Sequence, residues 1–314
     1  MGGAAPLDAA LAESPPGGHA AWLRTDDGVR LRAALWPEGA RGTVLIFPGR
    51  TEFIEKYGRT ATALAAAGLA TAAVDWRGQG LADRLVGDPN LGHVTSFADY
   101  AKDVAAFTAW LAAEGAPRPW FLLAHSMGGA IGLRALHAGL PVAAAAFTGP
   151  MWGIRMPLPL RPLATCLARA SGRFGFAQRY TPGGGPLNYV FQNGFSGNEL
   201  TSDRESFDWM TAQMRVHPEM TTGGPSFAWL DAALAEIAAL RRLPPPPCPV
   251  LVWLGAEERI VDAAAVRRLA ARWPGARVET LPGARHEVLM ENPATRNQVI
   301  ANTAAFFGRA PQPA

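Results

Sequence analysis

Residues 121–133 read FLLAHSMGGAIGL. An almost unbroken apolar run ends at Ser126, and Gly128 and Gly129 open the apolar segment that follows. The pentapeptide Ala124-His125-Ser126-Met127-Gly128 fits the elbow pattern G-x-S-x-G, in which a strand turns sharply into a helix, with alanine in place of the first glycine. The demand there is steric: residues two before and two after the serine must be small, and alanine still meets it. The plainer reading is a small polar residue closing a buried strand. A serine alone hydrolyses nothing, so the rest of the chain has to decide.

Working outward, the same grammar recurs on both sides. TVLIFPG (Thr43–Gly49), LATAAVDW (Leu69–Trp76) and the segment Val142–Thr148 are further apolar runs, separated by helical patterns over Phe97–Ala113 and from about Met127 to Ala138. Strand-like Ala20–Arg24 and Val29–Trp36 flank Thr-Asp-Asp-Gly, a hairpin signal. Apolar strands alternating with helices predict a mostly parallel central sheet with helices on both faces. The alternation stops at Gly149 and resumes with a helix at Phe227–Leu240, the stiff linker LPPPPCP, a strand at Val250–Gly255, a helix at Asp262–Trp273, a strand at Arg277–Leu281 and a helix at Pro293–Phe307. The expected organisation is therefore a flexible N-terminus (1–18), an α/β core (19–149 and 226–310) and an inserted, mostly helical cap (150–225).

Composition narrows the classes. In 314 residues, 49% are hydrophobic and 18% charged, so a large core is available and wholesale disorder is excluded. The net charge of +3 forms no concentrated basic stripe, which argues against a nucleic-acid partner. The two cysteines, Cys166 and Cys248, have neither disulfide-framework nor zinc-site spacing and suit a reducing compartment. The N-terminal MGGAAPLDAALAESPPGG does not read as a signal peptide, and no long uncharged apolar run is present. A cytoplasmic location is the simplest expectation.

An elbow serine needs a base. Of the six histidines, His286 follows the strand RVETL and the loop PGAR, beyond the carboxyl end of the last strand, where a catalytic base belongs in such a sheet. His125 adjoins the serine but should point to the opposite face. The acid should come between them in sequence, after the penultimate strand. VLVWLGAEERIVD supplies Glu258, three residues past Gly255, with Asp262 as the rival and, alternatively, the N-cap of the next helix. Acyl transfer also needs two N–H donors for the oxyanion. Met127 at the helix start is one, and Arg50, in the turn FPGRTEFIEKY, is the other.

With Ser126, Glu258 and His286 in this order, the chain resembles the α/β-hydrolase superfamily. More narrowly, it is similar to the monoacylglycerol lipase and bacterial lysophospholipase group, of serine aminopeptidase S33 type. The resemblance rests on GRTEFIEKYGR, VDWRGQGLADR, GHVTSFADYAKDV, AHSMGG, NELTSDRESFDWM, GGPSFAWL and GARHEVLMENPATR, and spans roughly residues 20–308. Two positions depart from the group: Pro48-Gly49 stands where His-Gly is frequent, and Glu258 where aspartate is usual. The resemblance implies an α/β-hydrolase fold and hydrolysis of the carboxylic ester of a single-chain lipid through an acyl-enzyme, with no metal or organic cofactor. Met151 and Trp152 are expected to bind substrate. With Ile154, Met156, Leu158, Leu160, Leu163 and Leu167 they would line an acyl tunnel. Arg155, Arg161, Arg169, Arg173 and Arg179 would face anionic headgroups or make peripheral contact with a membrane surface; the alternative is solvated arginines over a small helical core.

Overall fold

The computed structural model describes residues 3–157 and 159–310; Leu158, expected in the cap, lies outside them. Nine strands form one sheet among the described residues: β1 (Ala4–Ala5), β2 (His19–Arg24), β3 (Arg30–Trp36), β4 (Thr43–Phe47), β5 (Ala70–Asp75), β6 (Trp120–His125), β7 (Ala145–Thr148), β8 (Val250–Gly255) and β9 (Arg277–Leu281). Their spatial order is β1-β2-β3-β5-β4-β6-β7-β8-β9. The first three strands and the β3–β5 pair are antiparallel, and from β5 to β9 every neighbouring pair is parallel.

The helices are α1 (Ala9–Ala12), α2 (Gly58–Ala66), α3 (Tyr100–Ala113), α4 (Met127–His137), α5 (Arg161–Arg173), α6 (Tyr189–Gly197), α7 (Arg204–Val216), α8 (Phe227–Leu240), α9 (Ala263–Ala270) and α10 (Pro293–Phe307). Alternate residues of each central strand go to opposite faces, which is why the strands read as continuous apolar runs. Leu45, Phe47, Leu122, Ala124 and Phe147 pack with α3, α4, α8 and α9. Val44, Ile46, Phe121, Leu123 and Ala146 pack with α2 and α10 on the other side. Burying a leucine or phenylalanine side chain of this kind contributes roughly 1.5–3 kcal/mol. Among the described residues no helix is long and apolar enough to cross a membrane.

Residues 3–18, expected to be flexible, are instead built into the fold. Ala4 and Ala5 pair with Ala21 and Ala20. Asp8 caps α1, its Oδ1 accepting from the Leu11 N–H at 2.9 Å, and Ala12 is fully buried. A two-residue strand and a one-turn helix are too short to show periodicity, and distant contacts hold them, among them His217 Nε2 at 3.2 Å from Asp8 Oδ2.

Between β7 and β8 the insertion carries α5, α6 and α7, and α7 reaches the short 3-10 turn Ile54–Tyr57 that follows β4. Beneath that turn lies a wholly buried ion triad. Arg32 makes a two-pronged contact with Glu55 (2.8 and 2.7 Å) and donates through Nε to Asp75 at 2.8 Å. Asp75 also accepts the N–H groups of Ile54 (2.9 Å) and Leu81 (2.8 Å), so one carboxylate ties the loops after β4 and β5 together.

Candidate active site

Ser126 stands between β6 and α4 with φ 49° and ψ −115°, a conformation that non-glycine residues rarely adopt. Its backbone is over-determined: its N–H donates to Thr148 O (3.0 Å), and its carbonyl accepts from Gly129 (2.9 Å) and Met151 (2.8 Å). The steric demand at the elbow is explicit. A Cβ on Gly128 would run into the carbonyl oxygens of Phe47 and Pro48, backbone atoms that cannot swing aside. Alanine is accommodated at 124 because Gly132, one turn along α4, faces it: a Cβ at 132 would lie 3.2 Å from the Ala124 methyl.

His286 lies past the end of β9 and is buried. Its Nε2 is 2.9 Å from Ser126 Oγ, and its Nδ1 is 2.7 Å from Glu258 Oε2. The second carboxylate oxygen of Glu258 accepts the N–H groups of Ile260 (2.7 Å) and Val261 (3.0 Å). Burial by itself would raise the Glu258 pKa, but His286 and these two N–H groups outweigh it and hold the carboxyl below its ordinary value. Burial likewise works against protonating His286, yet the adjacent Glu258 carboxylate raises its pKa above the usual imidazole value. Asp262 caps α9, accepting from Ala265 N–H at 2.9 Å.

The oxyanion candidates follow from strand register. Phe47 of β4 pairs with Ala124 of the parallel strand β6, so the turns that carry Arg50 and Met127 leave the sheet from the ends of neighbouring strands. The intervening turn is held by groups that sequence reasoning passed over. Gln79 donates from Nε2 to Gly49 O (3.0 Å) and accepts from Thr51 N–H (2.9 Å). Glu52 accepts the Gly49 N–H and, at 2.5 Å, the Tyr57 hydroxyl.

Glu52 belongs to a buried polar cluster beside His286. Lys56 Nζ lies 2.6 Å from both Glu52 and Glu287. Glu52, His125 and Glu287 could offer ligand atoms to a metal, but the Lys56 ammonium already fills the cationic position between the carboxylates. His125 is neutral: burial pushes its pKa down to about 3, and its Nδ1–H donates to Thr148 O at 2.9 Å. The GRTEFIEKY stretch signals this cluster only through its charged residues, of which Glu52 and Lys56 join it while Glu55 goes to Arg32.

A cavity of about 310 Å³ opens on Ser126 and His286. Its apolar wall comes from Tyr189, Val190, Leu200, Met210 and Met214, in or near α6 and α7. Met151 and Trp152, expected to bind substrate, do not line it. Trp152 is fully buried, donating to Gly129 O at 3.0 Å and packing edge-on against Phe147 and Trp273. Both residues leave β7 beneath α4, so their apolar surface completes the core. Leu160, Leu163 and Leu167 are exposed on or beside α5. Of the cap arginines named from sequence, Arg155 lines the cavity; Arg161, Arg169, Arg173 and Arg179 do not.

A serine on a strained strand–helix turn, bonded to a histidine and through it to a carboxylate across a mostly parallel sheet, defines an α/β-hydrolase. Residues 38–293 match the family model described as serine aminopeptidase, S33, and the chain belongs to that family. It is 36% identical over 279 residues to lysophospholipase L2 of Escherichia coli K12, covering 85% of this chain and 80% of that protein. A probable lysophospholipase L2 of Haemophilus influenzae is 30% identical over 279 residues, covering 88% and 87%. Among solved structures, a soluble variant of the monoglyceride lipase of Saccharomyces cerevisiae, in complex with a substrate analog, superposes with a TM-score of 0.70 at 21% identity, covering 91% and 93%.

Proposed function

We propose that the protein hydrolyses the carboxylic ester of a lipid carrying one acyl chain, a lysophospholipid or monoacylglycerol, with Ser126 as nucleophile, His286 as base and Glu258 as the orienting acid. The observation that carries this reading is the unbroken bond chain Glu258–His286–Ser126. Ser126 Oγ attacks the ester carbonyl carbon while its proton passes to His286 Nε2. The carbonyl oxygen, now an anion, takes the N–H groups of Arg50 and Met127; one such donor is commonly worth about 3 kcal/mol. Collapse expels the glycerol oxygen, which takes the proton from His286 and leaves an acyl-serine. A water then repeats the sequence, giving its proton to His286 and releasing the fatty acid. The names of the Escherichia coli and Haemophilus influenzae relatives support the lipid substrate.

Residues 150–225 act as the cap in this reading, with α5 its membrane-facing edge. Leu160, Leu163, Leu167 and Phe174 are all exposed, and their three-, four- and seven-residue spacing puts them on one side of the helix. Arg161, Arg169 and Arg173 flank that stripe, the composition of a helix that lies in an anionic lipid surface. A cytoplasmic location on the inner face of the membrane fits this edge and the two unpaired cysteines.

The test is a panel of lysophospholipids, monoacylglycerols, diacyl lipids and short p-nitrophenyl esters, run beside Ser126→Ala. Cleavage of the single-chain lipids that vanishes in the variant is the expected result. Turnover of the short esters alone would make the protein a general carboxylesterase.

A further inference from the structure

Three arginines line the cavity that opens on Ser126: Arg50 after β4, Arg155 after β7 and Arg259 after β8. The segments carrying the last two are stitched together. Ile154 and Val261 form an antiparallel bridge, and Arg155 N–H donates to Ile260 O at 3.1 Å. Among the described residues none of the three guanidiniums is ion-paired; of the acidic groups lining the cavity or beside His286, Glu52 and Glu287 are engaged by Lys56 and Glu258 by His286, and Glu199 has no ion-pair partner. Arg50 is the most enclosed of the three. Its guanidinium is already partnered outside the cavity wall, donating to Gly223 O at 2.9 Å and lying 5.6 Å from the Trp229 ring, so the two exposed arginines remain for a ligand. The guanidinium fork matches the oxygens of a phosphate.

We propose that Arg155 and Arg259 form a phosphate subsite that receives the phosphodiester headgroup of a single-chain phospholipid whose ester carbonyl lies at Ser126. This rests on the lipid-ester reading above and narrows it to lysophospholipid in preference to monoacylglycerol. The division of the cavity supports it. The apolar side formed by Val190, Met210 and Met214 suits the start of an acyl chain, and the two arginines stand on the stitched segments that follow β7 and β8. Glu199, Glu257, Arg259 and Arg285 line an adjoining cavity of about 250 Å³, so the wall beyond the phosphate carries both signs of charge.

The test compares kcat/KM for a short-chain lysophosphatidylcholine with that for the matching monoacylglycerol, both below their micelle concentrations so that surface binding does not enter. In R155Q/R259Q the ratio should fall roughly ten- to a hundredfold, mainly through KM, as expected for lost hydrogen bonds to a charged group. R155K/R259K, which keeps the charge, should recover part of it. Thermal melts establish that each variant is folded. A second measurement needs no variant: glycerol 3-phosphate should inhibit wild-type hydrolysis of p-nitrophenyl butyrate more strongly than glycerol, and inorganic phosphate alone separates the anion's share from that of the glycerol. A ratio unmoved in the folded double variant, or equal inhibition by glycerol and glycerol 3-phosphate, overturns the subsite. Wild type that cleaves neither lipid overturns the lipid-ester reading, and the subsite with it.

Discussion

The rings of His125 and His286 lie 4.8 Å apart, yet their surroundings drive their titrations in opposite directions. Burial holds His125 down at about 3, whereas the Glu258 carboxylate raises His286 above the ordinary imidazole value. His286 must be neutral to take the serine proton, so activity should fall as pH drops through its raised pKa. The kcat/KM profile of the wild type should show an acid limb above the usual histidine value of about 6.5. A limb at or below that value would contradict the assignment of His286 as a Glu258-paired base.

His125 bears on stability with the opposite sign. Its folded pKa is depressed, so between about 6.5 and 3 the unfolded chain binds the extra proton and stability falls as pH falls. The variant His125→Gln keeps a polar contact to Thr148 and cannot titrate. Its unfolding free energy, followed by urea melts from pH 7 to pH 4, should decline less steeply than that of the wild type.

Glu258→Gln and Asp262→Ala should separate catalysis from capping. In Glu258→Gln the two backbone donors from Ile260 and Val261 will keep the carbonyl oxygen of the new side-chain amide, which turns its N–H₂ toward His286 Nδ1. That selects the imidazole tautomer with a hydrogen on Nε2, which cannot accept the serine proton, and kcat should drop by roughly 10⁴. Asp262→Ala should instead lower stability by about 1 kcal/mol through the lost cap on α9, with kcat nearly unchanged. Steady-state kinetics and melts on both variants check this.

The candidate elbow and acid were readable because each sits just beyond an apolar strand, whereas the candidate base follows the mostly exposed strand RVETL and is found by chain order. The cap was not readable. Met151 and Trp152 look in sequence like any apolar tunnel lining, and only their position beneath α4 makes them core. The helix α6 escaped notice because Gly194, at φ 59°, interrupts its periodicity. Nothing in the sequence singles out Lys56, because its partners are a loop glutamate four residues back and Glu287, which only the fold brings near.

The exposed stripe on α5 should matter at a lipid surface and nowhere else. Leu163→Asp/Leu167→Asp adds negative charge to the face that would enter an anionic bilayer. Co-sedimentation with phosphatidylglycerol vesicles should fall sharply, while hydrolysis of a soluble short-chain ester hardly changes. Equal co-sedimentation of variant and wild type would leave α5 without a membrane role.

Lys56→Met strips the shared cation from two buried carboxylates, Glu52 and Glu287. Breaking a buried pair by removing one partner typically costs about 3–5 kcal/mol. Without the ammonium, burial raises both carboxyl pKa values in the folded variant. A raised folded pKa contributes stability below the unfolded value and loses it as pH climbs through the folded one. The deficit of Lys56→Met relative to wild type, read from urea melts, should therefore be larger at pH 8 than at pH 5. Adding Glu287→Gln removes one of the stranded charges and should return part of the stability and flatten that pH dependence. Activity should recover less, because Glu52 also holds the Gly49 N–H in the turn that presents Arg50, and its carboxylate still lacks the lysine that anchors it.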